Sequence, residues 1–378
     1  MKEGWKVKKL TDVCHIQYGY AFDSSCFCDD DNYPQLIRIR DVVRGYSETF
    51  YKGNIPEGYF VYKGDYLIGM DGEFHIAPWQ SEKALLNQRV CKISSSDCDV
   101  DGRFIYYTMS VVLKQIEDET PFVTVKHLSA KRLNLVKIPI LPLPEQSRIV
   151  EELDQLSNII EKKRQQLSEL DNLAQSIFYD MFGDPVTNEK GWEVKKLGEV
   201  GFFARGVSKH RPRNAPELLG GSMPLIQTGD VANSGMYITD YNSTYSELGV
   251  QQSKVWEAGT LCITIAATIG KCSILTFDAC FPDSVVGYIG KKEFICNEYV
   301  YYLFGCLQSI LEANAPAVAQ KNINLKVLNL LEVPLPPLEL QQLFAQKIEA
   351  IEKEKELIKQ SIKETEELFN SRMDYYFG

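Results

Sequence analysis

The densest cluster of basic side chains in this sequence lies in one short segment, RGVSKHRPR, which the pair Gly220-Gly221 follows a few residues later. Its basic members are Arg205, Lys209, His210, Arg211 and Arg213. Lysine and arginine contact the phosphates of a nucleic acid, and arginine also recognises base edges. The segment therefore predicts a DNA contact, and a solvated surface loop is the alternative that these residues leave open.

A second group of arginines precedes and follows Asp41. Its members are Arg38, Arg40 and Arg44. If a strand runs through this segment, Arg38 and Arg40 lie on one face, because side chains alternate along a strand. We predict that this group also contacts DNA.

Catalytic motifs do not occur in this sequence. An adenine methyltransferase needs an Asn or Asp followed by two prolines and an aromatic residue, whereas Asp184-Pro185 is followed by Val186. A glycine-rich cofactor turn and a phosphate-binding lysine motif are also missing. Acidic residues such as Asp71 and Glu73 are interpreted as loop residues rather than as a nuclease site. The sequence predicts no catalytic role.

Metal sites and disulfides have little support from the ten cysteines and four histidines. The closest cysteines, Cys26 and Cys28, lack the two-residue gap of a zinc knuckle or a redox motif. The sequence also has no apolar leader and no apolar run near the roughly 20 residues of a membrane span. We predict a cytoplasmic protein with reduced thiols, no cofactor and no membrane partner.

The net charge of −10 is distributed unevenly. Residues 145–183 hold four basic and eight acidic side chains, and residues 339–378 hold six and nine, so these stretches carry −7 of that charge. The remaining chain is nearly neutral. It can therefore present basic patches to a polyanion.

The chain is an internal duplication. Gly4-Trp5-Lys6-Val7-Lys8-Lys9-Leu10 recurs 187 positions later as Gly191-Trp192-Glu193-Val194-Lys195-Lys196-Leu197. From the pair Gly64 and Gly259 onward the offset is 195, and it holds to Phe182-Gly183 and Phe377-Gly378. Trp5 and Trp192 are predicted to anchor the two domains. Such self-similarity indicates two copies of one structural unit.

The duplication places further candidates at matching positions. Tyr18 and Tyr20 stand in the first half where the basic segment stands in the second, and they either contact DNA or belong to the core. The other matching candidates are Lys126 and His127 in the first half, and Gln320, Lys321 and Asn322 in the second. We predict that both sets lie at a helix start, where backbone N–H groups favour phosphate.

Each half reads as a mixed domain followed by a long helix. Tyr66-Leu67-Ile68 and Leu261–Thr264 are strand candidates, and helices are predicted at about 102–116 and 297–312 with Asp101 and Asn297 as caps. Prolines at 139, 142 and 144, and at 334, 336 and 337, mark the start of the long helices.

The long helices carry a heptad pattern of apolar residues, which we call the seam. The seam consists of Ile149, Leu153, Leu156, Ile160, Lys163, Leu167, Leu170, Ala174, Ile177 and Met181, and of Phe344, Ile348, Ile351, Lys355, Ile358, Ile362, Thr365, Phe369, Arg372 and Tyr376. Two such seams predict a coiled coil, and association about a two-fold axis makes it antiparallel. Independent amphipathic helices are the alternative.

The chain resembles the specificity subunits of Type I restriction-modification systems over nearly its whole length. The resemblance is carried by FYDMFGDPVTN at 178–188, which runs into Gly191-Trp192, by PLPEQ at 142–146 and by PLPPLE at 334–339. The second helix departs from the Glu-Gln pair of the first, since it has Leu340-Gln341.

The resemblance implies a non-catalytic subunit that reads a split sequence of double-stranded DNA, with helices that set the spacer. It also implies that two modification subunits dock on these helices and that restriction subunits join the complex in some systems. The expected α+β fold has target recognition domains at residues 1–140 and 184–336, and conserved helices at 141–183 and 337–378 that pack as an antiparallel coiled coil. A coiled-coil adaptor without DNA contact would explain the helices but not the basic segment.

Overall fold

The computed structural model describes residues 5–120, 126–265, 270–313 and 324–378, with the backbone alone at 308–313. Its described residues form two compact units. The first unit contains the residues up to 162 together with 361–378, and the second contains 163–360. Each unit therefore combines one mixed domain with a part of each long helix.

The first unit contains eleven strands, four short or medium helices and a 3-10 turn in its described domain. The strands are β1 (Lys6–Lys9), β2 (Cys14–Tyr18), β3 (Phe27–Cys28), β4 (Gln35–Leu36), β5 (Phe50–Tyr51), β6 (Phe60–Tyr62), β7 (Tyr66–Gly69), β8 (Ile76–Pro78), β9 (Lys83–Leu85), β10 (Val90–Ser95) and β11 (Lys137–Ile140). The helices are α1 (Leu10–Val13), α2 (Ile39–Arg44), α3 (Gly102–Glu119) and α4 (Ala130–Asn134), and the turn is Ser24–Cys26. The strands form sheets of order β2-β10-β7-β8 and β3-β5-β4-β9-β6, and a ribbon of β1 and β11.

The second unit repeats this arrangement. Its strands are β12 (Glu193–Lys196), β13 (Gly201–Arg205), β14 (Leu219–Leu225), β15 (Tyr237–Ile238), β16 (Ser243–Tyr245), β17 (Val255–Trp256), β18 (Leu261–Thr264), β19 (Cys272–Leu275), β20 (Ala279–Cys280), β21 (Val285–Gly290) and β22 (Glu332–Leu335). The short helices are α6 (Leu197–Val200), α7 (Thr228–Asn233), α8 (Glu247–Gln251), α9 (Asn297–Ala313) and α10 (Leu325–Leu330), with a 3-10 turn at Pro216–Leu218. The sheets have the orders β13-β21-β18-β19-β15 and β16-β14-β20-β17, beside a ribbon of β12 and β22.

The two domains share one topology, which confirms the duplication. The order β2-β10-β7-β8 matches β13-β21-β18-β19, and β5-β4-β9-β6 matches β16-β14-β20-β17. In the sheet β5-β4-β9-β6 the inner pair β4 and β9 is parallel, and in the sheet β16-β14-β20-β17 the inner pair β14 and β20 is parallel. The outer strands β6 and β17 pair antiparallel with these inner strands. The strands predicted at Tyr66 and Leu261 are confirmed as β7 and β18.

The helix starts that the sequence indicates are confirmed in one domain and corrected in the other. Asp101 caps α3, since its carboxylate accepts the N–H groups of Arg103 and Phe104. Asn297 is the first residue of α9 rather than its cap. Its side-chain amide instead accepts from the N–H of Gly290 and donates to the carbonyl of Gly259, so it joins the helix start to two loops.

The long helices are α5 (Leu143–Phe182) and α11 (Leu338–Phe377), each of 40 residues. Pro144 lies in the first turn of α5, where a proline costs no backbone hydrogen bond. Every residue of the predicted seam is buried or half-buried. The heptad interpretation is therefore confirmed.

The two helices pack antiparallel in each unit. In the first unit, the guanidinium of Arg372 pairs with the carboxylate of Glu152, which also accepts the hydroxyl of Tyr376 at 2.7 Å. In the second unit, the ring of Phe178 lies 5.7 Å from that of Phe344, centroid to centroid. The beginning of α5 thus contacts the end of α11, and the end of α5 contacts the beginning of α11. The antiparallel prediction requires this pairing.

One buried glutamine joins each domain to the long helix that follows it. The amide of Gln146, in the first turn of α5, donates to the carbonyls of Asp99 and Leu141 and accepts the N–H of Asp101. Gln341 makes the same three bonds to Phe294, Pro336 and Cys296. Both side chains are fully buried. The Gln of the resemblance is therefore retained at Gln341, and the departure at Leu340 does not affect these bonds.

The two tryptophans of the repeated segment are half-buried, as domain anchors should be. Trp5 packs on the cluster around Phe104, Leu153 and Tyr376, and the indole N–H of Trp192 donates to the carbonyl of Phe182. The ten cysteines are free thiols. Along the described ranges, no helix combines the length and apolar character that crossing a membrane requires.

We predict that Gln146→Ala lowers the free energy of unfolding by about 3 kcal/mol, because it leaves one N–H and two carbonyl groups without buried partners. The measurement is urea unfolding monitored by circular dichroism. Gln155→Ala, on an exposed position of the same helix, is the matched control and should change stability by less than about 0.5 kcal/mol. Equal effects of the two substitutions would contradict a joining role for Gln146.

Candidate nucleic-acid interface

Two of the three arginines around Asp41 lie on a helix, so the strand that would have placed Arg38 and Arg40 on one face does not form. Arg40 and Arg44 belong to α2, and Arg38 precedes its first residue. The buried carboxylate of Asp41 accepts the N–H of Arg38 at 2.8 Å, so it closes the first turn. Asp230 holds Gln227 in the same way at 2.7 Å in the second domain. Because the segment is helical, the two-residue spacing of Arg38 and Arg40 does not place them on one face.

These arginines have different surroundings. Arg40 lies 3.7 Å from the buried carboxylate of Asp41, and Arg44 lies 3.7 Å from Glu48. The side chain of Arg38 is exposed, and it forms no ion pair within the described ranges. All three remain available to a polyanion at the surface, and Arg40 also neutralises a buried charge.

Tyr18 and Tyr20 differ in burial. The hydroxyl of Tyr18 donates to the side-chain oxygen of Asn134 at 2.8 Å, and burial raises the pKa of this phenol to about 12. Tyr18 therefore belongs to the packing between β2 and α4. Tyr20 is 43% exposed, and its ring lies 5.1 Å from that of Phe22 and 5.2 Å from that of Tyr59. Of the two residues, Tyr20 is the more exposed.

Lys126 and His127 precede a helix but do not begin it, which corrects the prediction. Helix α4 begins at Ala130, three residues after His127, and its cap is Ser129. The ammonium group of Lys126 donates to the carbonyl of Glu117 at 2.9 Å and lies 3.4 Å from its carboxylate. His127 is exposed, and its Nδ1 donates to the carboxylate of Asp71. Lys126 is thus occupied within the domain, whereas His127 lies at the surface.

Arg89 completes a surface cluster with Asp71 and His127 that the sequence did not indicate. The guanidinium of Arg89 lies 3.6 Å from the carboxylate of Asp71 and 3.3 Å from Nδ1 of His127. Since a carboxylate only accepts hydrogen bonds, it fixes the proton of His127 on Nδ1. Two basic groups therefore flank one acid, next to the turn that pairs with the backbone of Tyr20.

The turn that carries Arg89 occupies the same place in both domains. A Cβ atom on Gly19 would lie 1.9 Å from the carbonyl oxygen of Asn87, and one on Gly206 would lie 2.1 Å from that of Phe281. Only glycine allows so close an approach of two backbones. In the first domain, the glycine that follows β2 therefore contacts the turn before β10. In the second domain, the glycine that follows β13 contacts the turn before β21.

The basic segment of the second domain is fixed at its base. Oε1 of Gln252 accepts the N–H groups of Lys209 and His210, at 2.6 and 3.0 Å. Nδ1 of His210 donates to the carbonyl of Pro212 at 3.3 Å. The side chains of Arg205 and Lys209 are exposed, and neither forms an ion pair with another described residue. The segment therefore exposes the charged side chains of Arg205 and Lys209 while its backbone is fixed by Gln252.

Asp283 pairs with the other two cations of this segment. Its carboxylate forms an ion pair with Arg213 and lies 3.8 Å from the guanidinium of Arg211. All three side chains are between 39% and 56% exposed. Arg211 also donates to the carbonyl of Ser208 at 2.6 Å. An approaching phosphate would compete with Asp283 for both arginines.

A cavity of about 270 Å³ opens beside Arg213 in the second domain. Its polar lining comes from Ser208, Arg213, Asn214, Gln227, Thr228 and Ser284, and Tyr245 contributes a ring. The hydroxyl of Ser208 is buried and has no hydrogen-bond partner among the residues that the structure describes. Since buried polar groups are normally satisfied, this hydroxyl is suited to a polar group of a ligand.

Sequence reasoning thus found part of each cluster. It indicated Tyr20 and His127 in the first domain and the basic segment in the second, but it missed Arg89, Gln252 and Asp283. Asp283 lies 70 positions from Arg213, and no local signal connects the two. Gln320, Lys321 and Asn322 lie outside the described residues.

Three comparisons agree with this architecture. The family model described as Type I restriction modification DNA specificity domain matches residues 2–172 and 189–367. The chain is similar to the Type I restriction enzyme EcoBI specificity subunit of Escherichia coli, with 30% identity over 92% of this chain and 79% of that protein.

Two solved structures share the fold. One is the S subunit of a Type I restriction-modification system from M. genitalium, with a TM-score of 0.58 and 14% identity over 98% of this chain and 95% of that one. The other is from a study of complex assembly and conformational transition of the type I R-M system, with a TM-score of 0.58 and 18% identity over 100% of this chain and 98% of that one.

We predict that replacing Arg211 and Arg213 together by Ala weakens binding to random duplex DNA. It should also reduce the slope of log affinity against log salt by about 2, if both contact phosphates. Asp283→Asn should have the opposite effect and tighten binding, because the carboxylate no longer competes for the arginines. Electrophoretic shifts at several salt concentrations measure both effects.

The matched control for this pair is Lys353→Ala with Lys359→Ala, which removes two exposed cations that pair with glutamates on α11. The slope of log affinity against log salt for this control variant should stay close to that of the wild type. If the arginine variant kept the wild-type affinity and slope, the segment would lie away from DNA.

Proposed function

The chain belongs to the Type I restriction modification DNA specificity family, and we propose that it reads a bipartite double-stranded DNA sequence with a fixed spacer. The observation that carries the proposal is the repetition of one recognition domain, joined by the same buried glutamine to each of two antiparallel helices. Two similar domains carried by one pair of helices could each bind one half of a target in two parts. We propose domain limits of 1–140 and 184–336, with the helical regions at 141–183 and 337–378.

Each domain would contact DNA through its own surface cluster. In the first domain the proposed contacts are Tyr20, His127 and the arginines of α2, and in the second they are the cations of the basic segment. Cations at phosphates supply affinity, whereas side chains at base edges supply specificity. The aromatic cluster of one domain and the basic cluster of the other support two different half-sites.

The helices would set the distance between the half-sites. Each is 40 residues long and spans about 60 Å at about 1.5 Å per residue. This length exceeds the roughly 34–36 Å of one DNA turn. Because the seam and its ion pairs fix how the helices align in each unit, the spacer should be constant rather than adjustable.

We infer that two modification subunits dock on the helices and that the complex acts in the cytoplasm. Both helices expose large apolar side chains away from the seam, among them Leu173, Leu357, Leu368 and Tyr375. Exposed apolar groups of this kind favour a protein partner. A duplicated frame offers two equivalent docking surfaces, which supports two copies of the partner. Restriction subunits would join in systems that also cleave DNA.

The chain itself would be non-catalytic, and this property gives the direct test of function. The purified chain should neither methylate nor cleave DNA. After addition of a Type I modification subunit encoded beside it, sequencing that detects methylated adenines should reveal one bipartite motif with a constant spacer. Methyl transfer by the chain alone would contradict the proposal, and so would methylation without a bipartite motif.

We predict that lengthening both helices together lengthens the spacer. Four residues inserted after Gln166 in α5 and four after Gln360 in α11 keep the antiparallel pairing in each unit, whereas an insertion in one helix alone would offset it. The change adds about 6 Å, or nearly two base pairs at roughly 3.4 Å each, and about one helical turn. The two half-sites should stay unchanged in a map of methylated adenines.

A two-residue insertion at the same two points is the control. It rotates the following seam by about half a turn, so it should destroy the packing and abolish methylation. An unchanged spacer with full activity after the four-residue insertion would show that the helices do not set the distance.

A further inference from the structure

We propose that the turn Asn87–Arg89 of the first recognition domain reads bases, and that Arg89 recognises a guanine of its half-site. The inference rests on the proposed function, since it assumes that this domain binds DNA. It assigns a specificity-determining residue that the sequence patterns did not single out.

The backbone of Arg89 adopts a conformation that non-glycine residues avoid. Its φ is 71°, in the left-handed region, where a side chain is strained relative to glycine. Most left-handed positions of the described chain are occupied by glycine, and Asn188 is the other exception there. A stability-optimised turn would therefore carry glycine at position 89. Strained residues of this kind concentrate at functional sites, where the side chain is needed.

The turn is rigid, because its backbone groups are bonded on both sides. The N–H of Gln88 donates to the carbonyl of Tyr20 at 2.8 Å, and the carbonyl of Arg89 accepts the N–H of Met70 at 2.9 Å. The contact of Gly19 with Asn87 leaves no space for movement on that side. A side chain presented from a rigid turn loses little conformational freedom on binding.

The guanidinium of Arg89 is oriented but still accessible. The carboxylate of Asp71 lies 3.6 Å from it, and the side chain is 53% exposed. An arginine that is paired with one carboxylate and half exposed keeps N–H groups for two parallel hydrogen bonds. The acceptor pair that fits this geometry in the major groove is O6 and N7 of guanine.

The matching turn of the second domain carries different chemical groups. At the offset of 195, Asp283 and Ser284 replace Gln88 and Arg89. The backbone approach is the same in both domains, so the fold does not require a particular side chain at these positions. A shared scaffold with different polar groups is the arrangement expected of two readers with different targets.

The test compares Arg89→Gly with Arg89→Ala in the full chain reconstituted with its modification subunit. Both variants remove the guanidinium, but only glycine relieves the backbone strain. The glycine variant should have a Tm at or above that of the alanine variant. Both should lose discrimination at one G·C pair of the first half-site by about 10- to 100-fold in methylation rate, with the second half-site unchanged.

Three other results would overturn the inference. A target unchanged at every position would mean that Arg89 has a structural role only. A uniform loss over all sequences, with a salt slope reduced by about 1, would assign Arg89 to a phosphate instead. A lower Tm for glycine than for alanine would remove the argument from strain. If the wild-type complex methylated no bipartite motif at all, the proposed function would fail first, which is a distinct outcome.

Asn188→Gly is the matched control, since Asn188 has a φ of 48° and bonds through its side chain to the backbone of Trp192. This substitution should lower the Tm without changing the DNA target. The control separates loss of a structural side chain from loss of a reading side chain at the same kind of backbone position.

Discussion

The arrangement of each unit depends on one buried side-chain amide at the start of a long helix. Gln146 and Gln341 each satisfy three backbone groups that the junction of domain and helix would otherwise leave without partners. An amide supplies donors and an acceptor from one planar group, so it fixes direction as well as distance. An apolar residue of similar size would fill the space without fixing the angle. The orientation of each domain on its helix therefore follows from this residue, and any spacing function of the helices requires that orientation.

Polar residues within the seam fix the alignment of the two helices. In the first unit Arg372 and Tyr376 both donate hydrogen bonds to the carboxylate of Glu152. These bonds hold the pKa of Glu152 below its usual range. In the second unit Lys355 lies 2.7 Å from Asp171. Burial lowers the pKa of Lys355, but the bonds to Asp171 and Glu352 raise it above its usual value. Half-buried ion pairs add little stability, and their better-supported role is to select one alignment among several. The apolar residues make the helices associate, and these charges decide how.

The sequence predicted what periodicity and repetition encode, and it failed where distant residues meet. The duplication, the long helices and the seam follow from patterns that extend over tens of residues. A strand was only one condition considered for the segment around Arg38, and it rested on two-residue spacing alone, although Asp41 recurs as Asp230 at the third position of a short helix. Gln252 and Asp283 act on the basic segment from 42 and 70 positions away. Contacts of this kind depend on the folded sheet, so no window of the sequence contains them.

The two domains separate the residues that maintain the fold from those that differ between readers. The glycine contacts, the buried aspartates of the short helices and the glutamines of the junctions recur in both halves at matching positions. The exposed groups around the turn before the central strand do not recur, since the first domain has Arg89, Asp71 and His127 there and the second has Asp283, Arg211 and Arg213. In both clusters one acid pairs with two basic groups, Asp71 with Arg89 and His127 and Asp283 with Arg211 and Arg213. Asp283 belongs to the turn itself, whereas Asp71 comes from a neighbouring loop. Under the proposed function, exchange of these few side chains would alter the base preference while the recurring buried contacts stay in place. Recognition can therefore diverge between the halves while the frame that positions them stays the same.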